Sequence, residues 1–132
     1  MTEAIVFTIP HRLCRLNEYI RVERQKHWAP AAKLKKDQTA LCRLYVPKIK
    51  EPIDYPIEIT YVWTVANFSN DEDNVSFGRK FINDAMQQAG LIRKDNLMVI
   101  RDTHQKFVKG KDEQVKVIVK RWEDGTKDND TI

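Results

Sequence analysis

The chain has 132 residues, of which 42% are hydrophobic and 32% charged, with 4 Gly and 5 Pro. This composition excludes collagen-like, low-complexity and disordered chains, and the length is enough to bury a core without disulfides. The formal net charge of +4 permits a polyanionic partner but does not require one. We therefore expect one globular domain over residues 1–122 and a polar, flexible tail over residues 123–132.

The first third of the chain predicts one strand and two helices. Residues 4–9 are rich in β-branched and aromatic side chains, and Pro10 would end this strand at a sheet edge. Asn17 can cap a helix from residue 18 to about residue 28, and a second helix is expected from residue 31 to about residue 45. The apolar side chains expected on one face of the second helix are Leu34, Leu41 and Leu44.

The same region is strongly basic. Between residues 11 and 50, 11 Lys or Arg residues stand against three acidic residues, which gives a local net charge of +8. Such a block attracts phosphate backbones through counterion release, without sequence preference. The alternative is a solvated helical face with no partner, and charge alone leaves both interpretations open.

The middle of the chain predicts a strand, a loop and a helix. From residue 57 to residue 65 the apolar side chains recur at every second position, which is the period of a strand covered on one face. Residues 67–73 are rich in Asn, Ser and Asp and predict a loop. Apolar residues then recur at helical spacing from about residue 75 to residue 90, where Gly90 suits a left-handed helix end.

Two further strands are expected over residues 97–107 and 114–122. The short polar segment between them predicts that they form a hairpin. The order of elements is therefore strand, helices, strand, loop, helix, strand, strand. This order predicts an α+β fold, in which a small sheet of about four strands packs against helices.

An acidic segment lies between the best strand and the best amphipathic helix. Asp71 and Asp73 are two residues apart and can share a divalent cation, and Mg²⁺ needs only a few carboxylates besides water and substrate phosphates. Asp95 is a third candidate, but a helix of about sixteen residues would span about 24 Å and hold it away from the other two. The alternative is that Asp73 or Asn74 simply caps the helix.

Cysteine and histidine give little support for other chemistry. Cys14 and Cys42 are far apart, and no second pair follows the His11–Cys14 spacing at the distance a zinc finger needs. With two cysteines and no long apolar run, the sequence predicts a reducing, cytoplasmic location and no membrane association.

Several short motifs, taken in order, resemble the RusA-type Holliday junction resolvase family. The resemblance covers roughly residues 63–99, with a weaker part near residues 9–17. The motifs that carry it are Asp71-Glu72-Asp73-Asn74, Lys80, Asp84-Ala85-Met86, Ala89-Gly90 and Lys94-Asp95, followed by apolar Leu97 and Val99. Each motif is common, and their order and spacing over one helix carry the likeness.

The resemblance implies an intertwined homodimer that uses Mg²⁺, with Mn²⁺ as a possible substitute, to make paired nicks in four-way DNA junctions. It implies that Asp71, Asp73 and Asp95 are the catalytic, metal-binding carboxylates and that Lys80 is the catalytic lysine. Because this chain has about three extra residues between Asn74 and Lys80, Arg79 is an alternative for the lysine's role. Asp95 can complete the site within one chain or across the dimer.

On this interpretation the basic region holds the arms of branched DNA through backbone contacts. The predicted DNA-binding residues are Arg21, Arg24, Lys33, Lys35, Lys36 and Arg79. Phe77 or Trp28 could wedge against unstacked bases, although either side chain suits a core. Two other functions stay open, a non-catalytic dimeric DNA-binding protein whose acidic segment is only a helix cap and a metal-dependent enzyme acting on smaller phosphoesters.

Overall fold

A four-stranded mixed sheet, packed against helices on one face, organises the chain in the computed structural model, which describes residues 4–25 and 29–123. The strands are β1 (Ile5–Ile9), β2 (Ile57–Val65), β3 (Ile100–Lys109) and β4 (Gln114–Arg121), and the helices are α1 (Leu16–Glu23), α2 (Ala29–Arg43), α3 (Glu72–Ser76) and α4 (Arg79–Gln88). The strand order is β1-β4-β2-β3. The predicted α+β class is confirmed.

The alternating pattern of β2 decides which face of the sheet is covered. Every odd-numbered side chain from Ile57 to Val65 is buried, and every even-numbered one is half-buried. β4 continues the covered face through Val115, Val117 and Val119. Each such side chain stabilises the fold by roughly 1.5–3 kcal/mol when it leaves water. The prediction of this strand from residue 57 to residue 65 is confirmed.

The predicted hairpin between the last two strands is wrong. β3 pairs with β2 in parallel and β4 pairs with β2 antiparallel, so β2 lies between them. Residues 110–113 cross the end of β2, where the Gly110 N–H donates to the Val65 carbonyl at 2.9 Å. A Cβ on Gly110 would lie 2.6 Å from Cγ2 of Thr64, so any larger residue at the crossing would force the Thr64 side chain to shift. Two strands show the same alternation of apolar and polar residues whether they pair directly in a hairpin or lie on either side of a third strand. The alternation therefore could not predict which strands pair.

The helices also differ from prediction at several ends. α1 begins after Arg15, whose N–H donates to the Glu18 carboxylate at 2.9 Å, and Asn17 lies within the first turn rather than capping it. Leu44 lies beyond the end of α2 and is 77% exposed, so it does not pack with Leu34 and Leu41. Residues 26–28 and the tail from residue 124 onwards lie outside the described part of the chain.

The single helix expected over residues 75–90 is two helices. The break falls at Phe77 and Gly78, between α3 and α4. A Cβ on Gly78 would lie 3.0 Å from Cβ of Leu13 and 3.2 Å from Cη2 of Trp63, so the backbone packs tightly against distant residues here. Gly90 has φ of 81°, which confirms the predicted left-handed end.

An ion-pair network centred on Glu113 fixes the crossing of the sheet. Its carboxylate accepts from the Arg15 side chain at 2.8 Å and from the Ala66 N–H at 2.8 Å, and Arg12 lies at 3.2 Å. Burial raises the pKa of Glu113, but the hydrogen bonds from Ala66 and Arg15 and the charges of both arginines outweigh it and leave the pKa below its ordinary value. The end of β2, from which the acidic segment departs, is thereby held in place.

Across residues 4–25 and 29–123, the helices are all too short or too polar to cross a membrane.

Candidate metal and nucleic-acid site

The acidic segment, which we call the acidic loop (residues 70–74), begins α3. Asp71 is the N-cap residue of this helix, and its Oδ1 accepts a hydrogen bond from the Asn74 N–H at 2.9 Å. Asp73 lies in the first turn and is exposed. The helix-cap interpretation is therefore correct for Asp71, whereas the sequence had suggested Asp73 or Asn74 as the capping residue.

Asn74 has a structural role that its place in the motif did not reveal. It is 5% exposed, and its Oδ1 accepts from the Asn17 N–H at 2.9 Å. Its Nδ2 donates to Oδ1 of Asn70 at 2.8 Å. Asn74 thus fastens the start of α1 to the acidic loop and fixes the position from which Asp71 and Asp73 project.

Asp95 is brought back towards the first half of α4. After Gly90 the chain reverses, Leu91 and Ile92 are buried, and the Ile53 N–H donates to the Leu91 carbonyl at 3.0 Å. Asp95 then lies in a cleft with Lys80, which is in the first turn of α4. We call this the α4 cleft; its lining includes Arg79, Lys80, Asn83, Asp95, Leu97 and Arg101. Asp95 therefore lies beside the start of α4 and not a helix length beyond it, although Asp71 lines a different cleft.

The surroundings of Asp95 favour its neutral form. Burial raises the pKa of Asp95 most, the nearby Asp84 carboxylate raises it further, and Lys80, Arg79 and a hydrogen bond from Asn83 lower it without cancelling the rise. A cation placed beside these two carboxylates would relieve their repulsion. A carboxyl group with a perturbed pKa, placed in a cleft beside Arg79 and Lys80, is a candidate functional residue.

Asn83 connects Asp95 to the core. The hydroxyl of Tyr61, a fully buried residue of β2, donates to Oδ1 of Asn83 at 2.5 Å. This hydrogen bond fixes the orientation of the Asn83 amide, so its Nδ2 is available to donate to the Asp95 carboxylate.

One of the predicted DNA-binding lysines reaches this region. Nζ of Lys35, on α2, lies 3.9 Å from Oδ2 of Asp84, and Lys35 lines a second cleft together with Lys80 and Asp95. Lys33 instead pairs with Asp37 at 2.6 Å on the exposed side of α2. The remaining members of the predicted set, Arg21, Arg24, Lys36 and Arg79, are all exposed.

The structure brings together some of the predicted site residues and separates others. Asp95, Lys80 and Arg79 share the α4 cleft. Asp71 lines a different cleft, with Phe68 and Phe107. Within the described residues, no three Asp, Glu, His or Cys side chains lie close enough to hold a metal ion together.

The donor set nevertheless suits Mg²⁺. The carboxylates of Asp71 and Asp73 on the acidic loop, and of Asp84 and Asp95 beside α4, are hard oxygen ligands. Mg²⁺ is commonly bound through one or two carboxylates, with water and substrate phosphate completing its octahedron. Either pair can therefore supply the one or two carboxylates that a protein contributes to a Mg²⁺ site.

Sequence reasoning missed Asn83, Asp84 and Arg101 as residues of this region. A signal for Asp84 existed, because it lies four residues after Lys80 and thus on the same face of a helix. Asn83 and Arg101 carried no such signal, since their places depend on the buried hydroxyl of Tyr61 and on the start of β3.

Comparison of the chain with protein-family models and with curated protein sequences found no match.

Proposed function

We propose that this protein is a Mg²⁺-dependent endonuclease that nicks branched DNA, in the manner of the resolvase family that its motifs resemble. The observation that supports this most is the return of Asp95 to the first turn of α4, beside Lys80 and Arg79. A carboxylate for a metal ion and a cation for the phosphate thus share one open cleft. This pairing suits phosphodiester hydrolysis, in which a metal ion and a cationic side chain both stabilise the developing charge.

Asp71 and Asp73 of the acidic loop would hold the metal ion, and because Asp71 and Asp95 line different clefts of one chain, Asp95 would join them either from the partner subunit or when DNA binding brings the two clefts together. A bound Mg²⁺ would polarise the scissile phosphate and lower the pKa of a coordinated water. Asp71 can do this without leaving its structural role, because only its Oδ1 caps α3. Asn83, fixed by Tyr61, orients the Asp95 carboxylate. Lys80 stabilises the charge that develops on the phosphate, and Arg79 can take the same role from the adjacent position.

The basic residues around this region would hold the DNA arms. Lys35 lies on the same side as Lys80 and Asp95, and contacts to phosphate from such side chains position the substrate without reading its sequence. The chain would act as a homodimer, because a four-way junction has an approximate two-fold axis and a symmetric dimer supplies two equivalent sites.

The first experiment uses a labelled synthetic four-way junction and a matched linear duplex, each with Mg²⁺ or EDTA. Wild-type protein is expected to nick the junction symmetrically and only with Mg²⁺. Asp73→Asn should abolish nicking while junction binding in EDTA is kept. Glu72→Gln is the matched control, since it removes an adjacent exposed carboxylate that we assign no role. Binding without nicking in Mg²⁺ or Mn²⁺ would overturn the proposal.

A second experiment assigns the carboxylates to subunits. Asp73→Asn and Asp95→Asn proteins are each expected to be inactive alone, and they are then unfolded and refolded together. Recovery of about a quarter or more of the nicking activity would mean that one subunit's acidic loop acts with the other's Asp95. No recovery, with mixed dimers demonstrated by differently tagged subunits, would mean that each site lies within one chain.

A non-catalytic DNA-binding protein is the second candidate, and the capping bond from Asp71 to the Asn74 N–H favours it. In that case DNA affinity is indifferent to Asp71→Asn and Asp73→Asn, and no divalent metal produces nicks. The same junction assay therefore separates the two functions.

A further inference from the structure

β3 is a long strand with one unpaired edge. It runs over ten residues, from Ile100 to Lys109, and pairs only with β2 within the described part of the chain. The strand was expected to begin at Leu97, but residues 96–99 form a hydrogen-bonded turn that delays its start. β1, at the opposite edge of the sheet, has only five residues. The unpaired edge of β3 therefore presents a row of N–H and C=O groups that a further strand can bond.

The side chains of β3 suit antiparallel pairing with a second copy of the same strand. Asp102, His104 and Lys106 are exposed and level with the half-buried, even-numbered residues of β2, so they lie on the sheet face away from the helices. When two copies pair about His104, Asp102 of each copy lies directly opposite Lys106 of the other. Moving the centre to residue 103 or residue 105 breaks both charge pairs. Charge complementarity thus selects one register.

Lysine on an edge strand ordinarily discourages pairing with another strand. In the register centred on His104, however, each Lys106 meets a carboxylate. Oδ2 of Asp102 accepts from the Trp122 indole at 3.2 Å, which leaves Oδ1 for the lysine. Exposed ion pairs contribute only about 0.2–1 kcal/mol each. The main-chain hydrogen bonds would therefore supply most of the affinity, and the charge pairs would set the register.

We propose that two copies of this chain pair antiparallel through β3, about a two-fold axis at His104, and so form one continuous sheet. Each copy contributes its four strands and uses the same surface as the other, as a two-fold interface requires. Because the axis is perpendicular to the sheet, the helices of both copies lie on the same face.

This pairing brings together two clefts that one chain keeps apart. Arg101 lines the α4 cleft with Asp95, whereas Phe107 lines the cleft of Asp71. Along one β3, residues 101 and 107 are separated by about 20 Å. Across the axis, the partner's Phe107 lies opposite Arg101, one strand spacing of about 4.8 Å away. The cleft of the partner's Asp71 therefore lies beside the α4 cleft, and each site takes carboxylates from both copies. This consequence rests on the proposed function.

The interface is tested first without DNA or metal, by mild oxidation of His104→Cys protein and a non-reducing gel. Directly opposed residues have Cα atoms about 4.5–5.5 Å apart, within reach of a disulfide. We expect most of the His104→Cys protein to become a covalent dimer, since the native Cys14 and Cys42 are buried. Lys106→Cys is the matched control, because its two copies lie about 13 Å apart and cannot be bridged. No dimer from His104→Cys, or equal dimer from both variants, would overturn the proposal.

Charge reversal tests the register. Asp102→Lys and Lys106→Asp each place like charges opposite one another twice in the dimer, and each should raise the dimer Kd by about tenfold. The double variant Asp102→Lys/Lys106→Asp restores both pairs with opposite polarity, so its Kd should return to within about threefold of wild type. Sedimentation equilibrium measures these constants. A double variant as weak as either single variant would overturn the register.

Nicking of a four-way junction separates the interface from the proposed function. The oxidised His104→Cys dimer should nick in Mg²⁺ at nearly the rate of the reduced protein, because the disulfide holds the two clefts as the proposal places them. Loss of nicking on oxidation and its return on reduction would overturn that placement. A covalent His104→Cys dimer, with no nicking by any form of the protein in Mg²⁺ or Mn²⁺, would support the interface and overturn the proposed function.

Discussion

The acidic loop and the α4 cleft contain similar side chains that the fold uses differently. In the acidic loop, Asp71 caps α3 and Asn74 holds the start of α1, so half of the motif has a structural task. In the α4 cleft, partial burial and then the nearby Asp84 carboxylate raise the pKa of Asp95, so its surroundings disfavour its charge instead of using it to stabilise the fold. The acidic loop therefore contributes hydrogen bonds to the fold, while Asp95 is the acidic residue that we propose acts in the reaction.

This difference can be tested residue by residue, since substitution of Asp71 or Asn74, which make structural hydrogen bonds, should change stability, whereas substitution of Asp95 should change activity. The largest loss of stability is expected for Asn74→Ala. This variant truncates the buried side chain of Asn74, leaves the Asn17 N–H without its acceptor and releases Asn70, which should cost about 2–3 kcal/mol of unfolding free energy in urea. Asp73→Ala is the control, with an expected change within about 0.5 kcal/mol. Equal losses in the two variants would contradict the structural role of Asn74.

Glu113→Gln is expected to cost about 2 kcal/mol at pH 7, because Arg15, whose side chain is 12% exposed, loses its charged partner. The folded pKa of Glu113 lies below its ordinary value of 4.5, so its contribution is present above that value and is lost as pH falls through the folded pKa. Urea unfolding should therefore show the wild-type advantage at pH 7 shrinking at pH 3. A difference that is independent of pH would show that the charge of Glu113 is not what stabilises the crossing.

Asp71→Ala should cost about 1 kcal/mol through the loss of the α3 cap, whereas Asp71→Asn should cost little, because an amide oxygen can accept the same bond. The second variant thus removes the charge and keeps the cap. Comparing their urea unfolding with their nicking rates separates the structural task of Asp71 from its proposed catalytic one. Full nicking by Asp71→Asn would remove Asp71 from the proposed metal ligands.

The smallest effects on stability are expected in the basic region. Lys35→Ala and Lys33→Ala should each change the unfolding free energy by less than about 0.5 kcal/mol, because both lysines are exposed and the Lys35–Asp84 pair is long, at 3.9 Å. Lys35→Ala should reduce the slope of log junction affinity against log salt concentration by about one, which corresponds to the loss of one phosphate contact. Lys33→Ala should leave this slope unchanged. The same salt dependence in both variants would show that Lys35 does not contact DNA.

The elements that sequence predicted well are those whose pattern is local. The alternation of β2 and the left-handed end at Gly90 follow from side-chain period and backbone conformation, and both were found as expected. The hairpin and the single long helix failed because both depend on distant partners. β3 pairs with β2 instead of β4, and the helix breaks where Gly78 meets Leu13 and Trp63.

The candidate site shows the same limit. The acidic residues could be selected from sequence as possible Mg²⁺ ligands, whereas Lys80 was selected only through the resemblance of the motif order to the resolvase family. The return of Asp95 to α4 could not, because it depends on buried Leu91 and Ile92 and on the bond from Ile53 to Leu91. The sequence predicted a helix cap in the acidic loop but assigned it to Asp73 or Asn74, whereas the structure shows that Asp71 is the capping residue.

The most direct test of the account is the single-turnover rate at which Asp95→Asn nicks a four-way junction in Mg²⁺, compared with Asp102→Asn. Asp102 lines the same cleft but its carboxylate accepts from the Trp122 indole at 3.2 Å, a bond that asparagine can keep. We predict that Asp95→Asn slows nicking by about 100-fold or more while junction binding is retained, and that Asp102→Asn nicks at nearly the wild-type rate. Wild-type nicking by Asp95→Asn, or equal losses in both variants, would contradict the assignment of Asp95 to the reactive position.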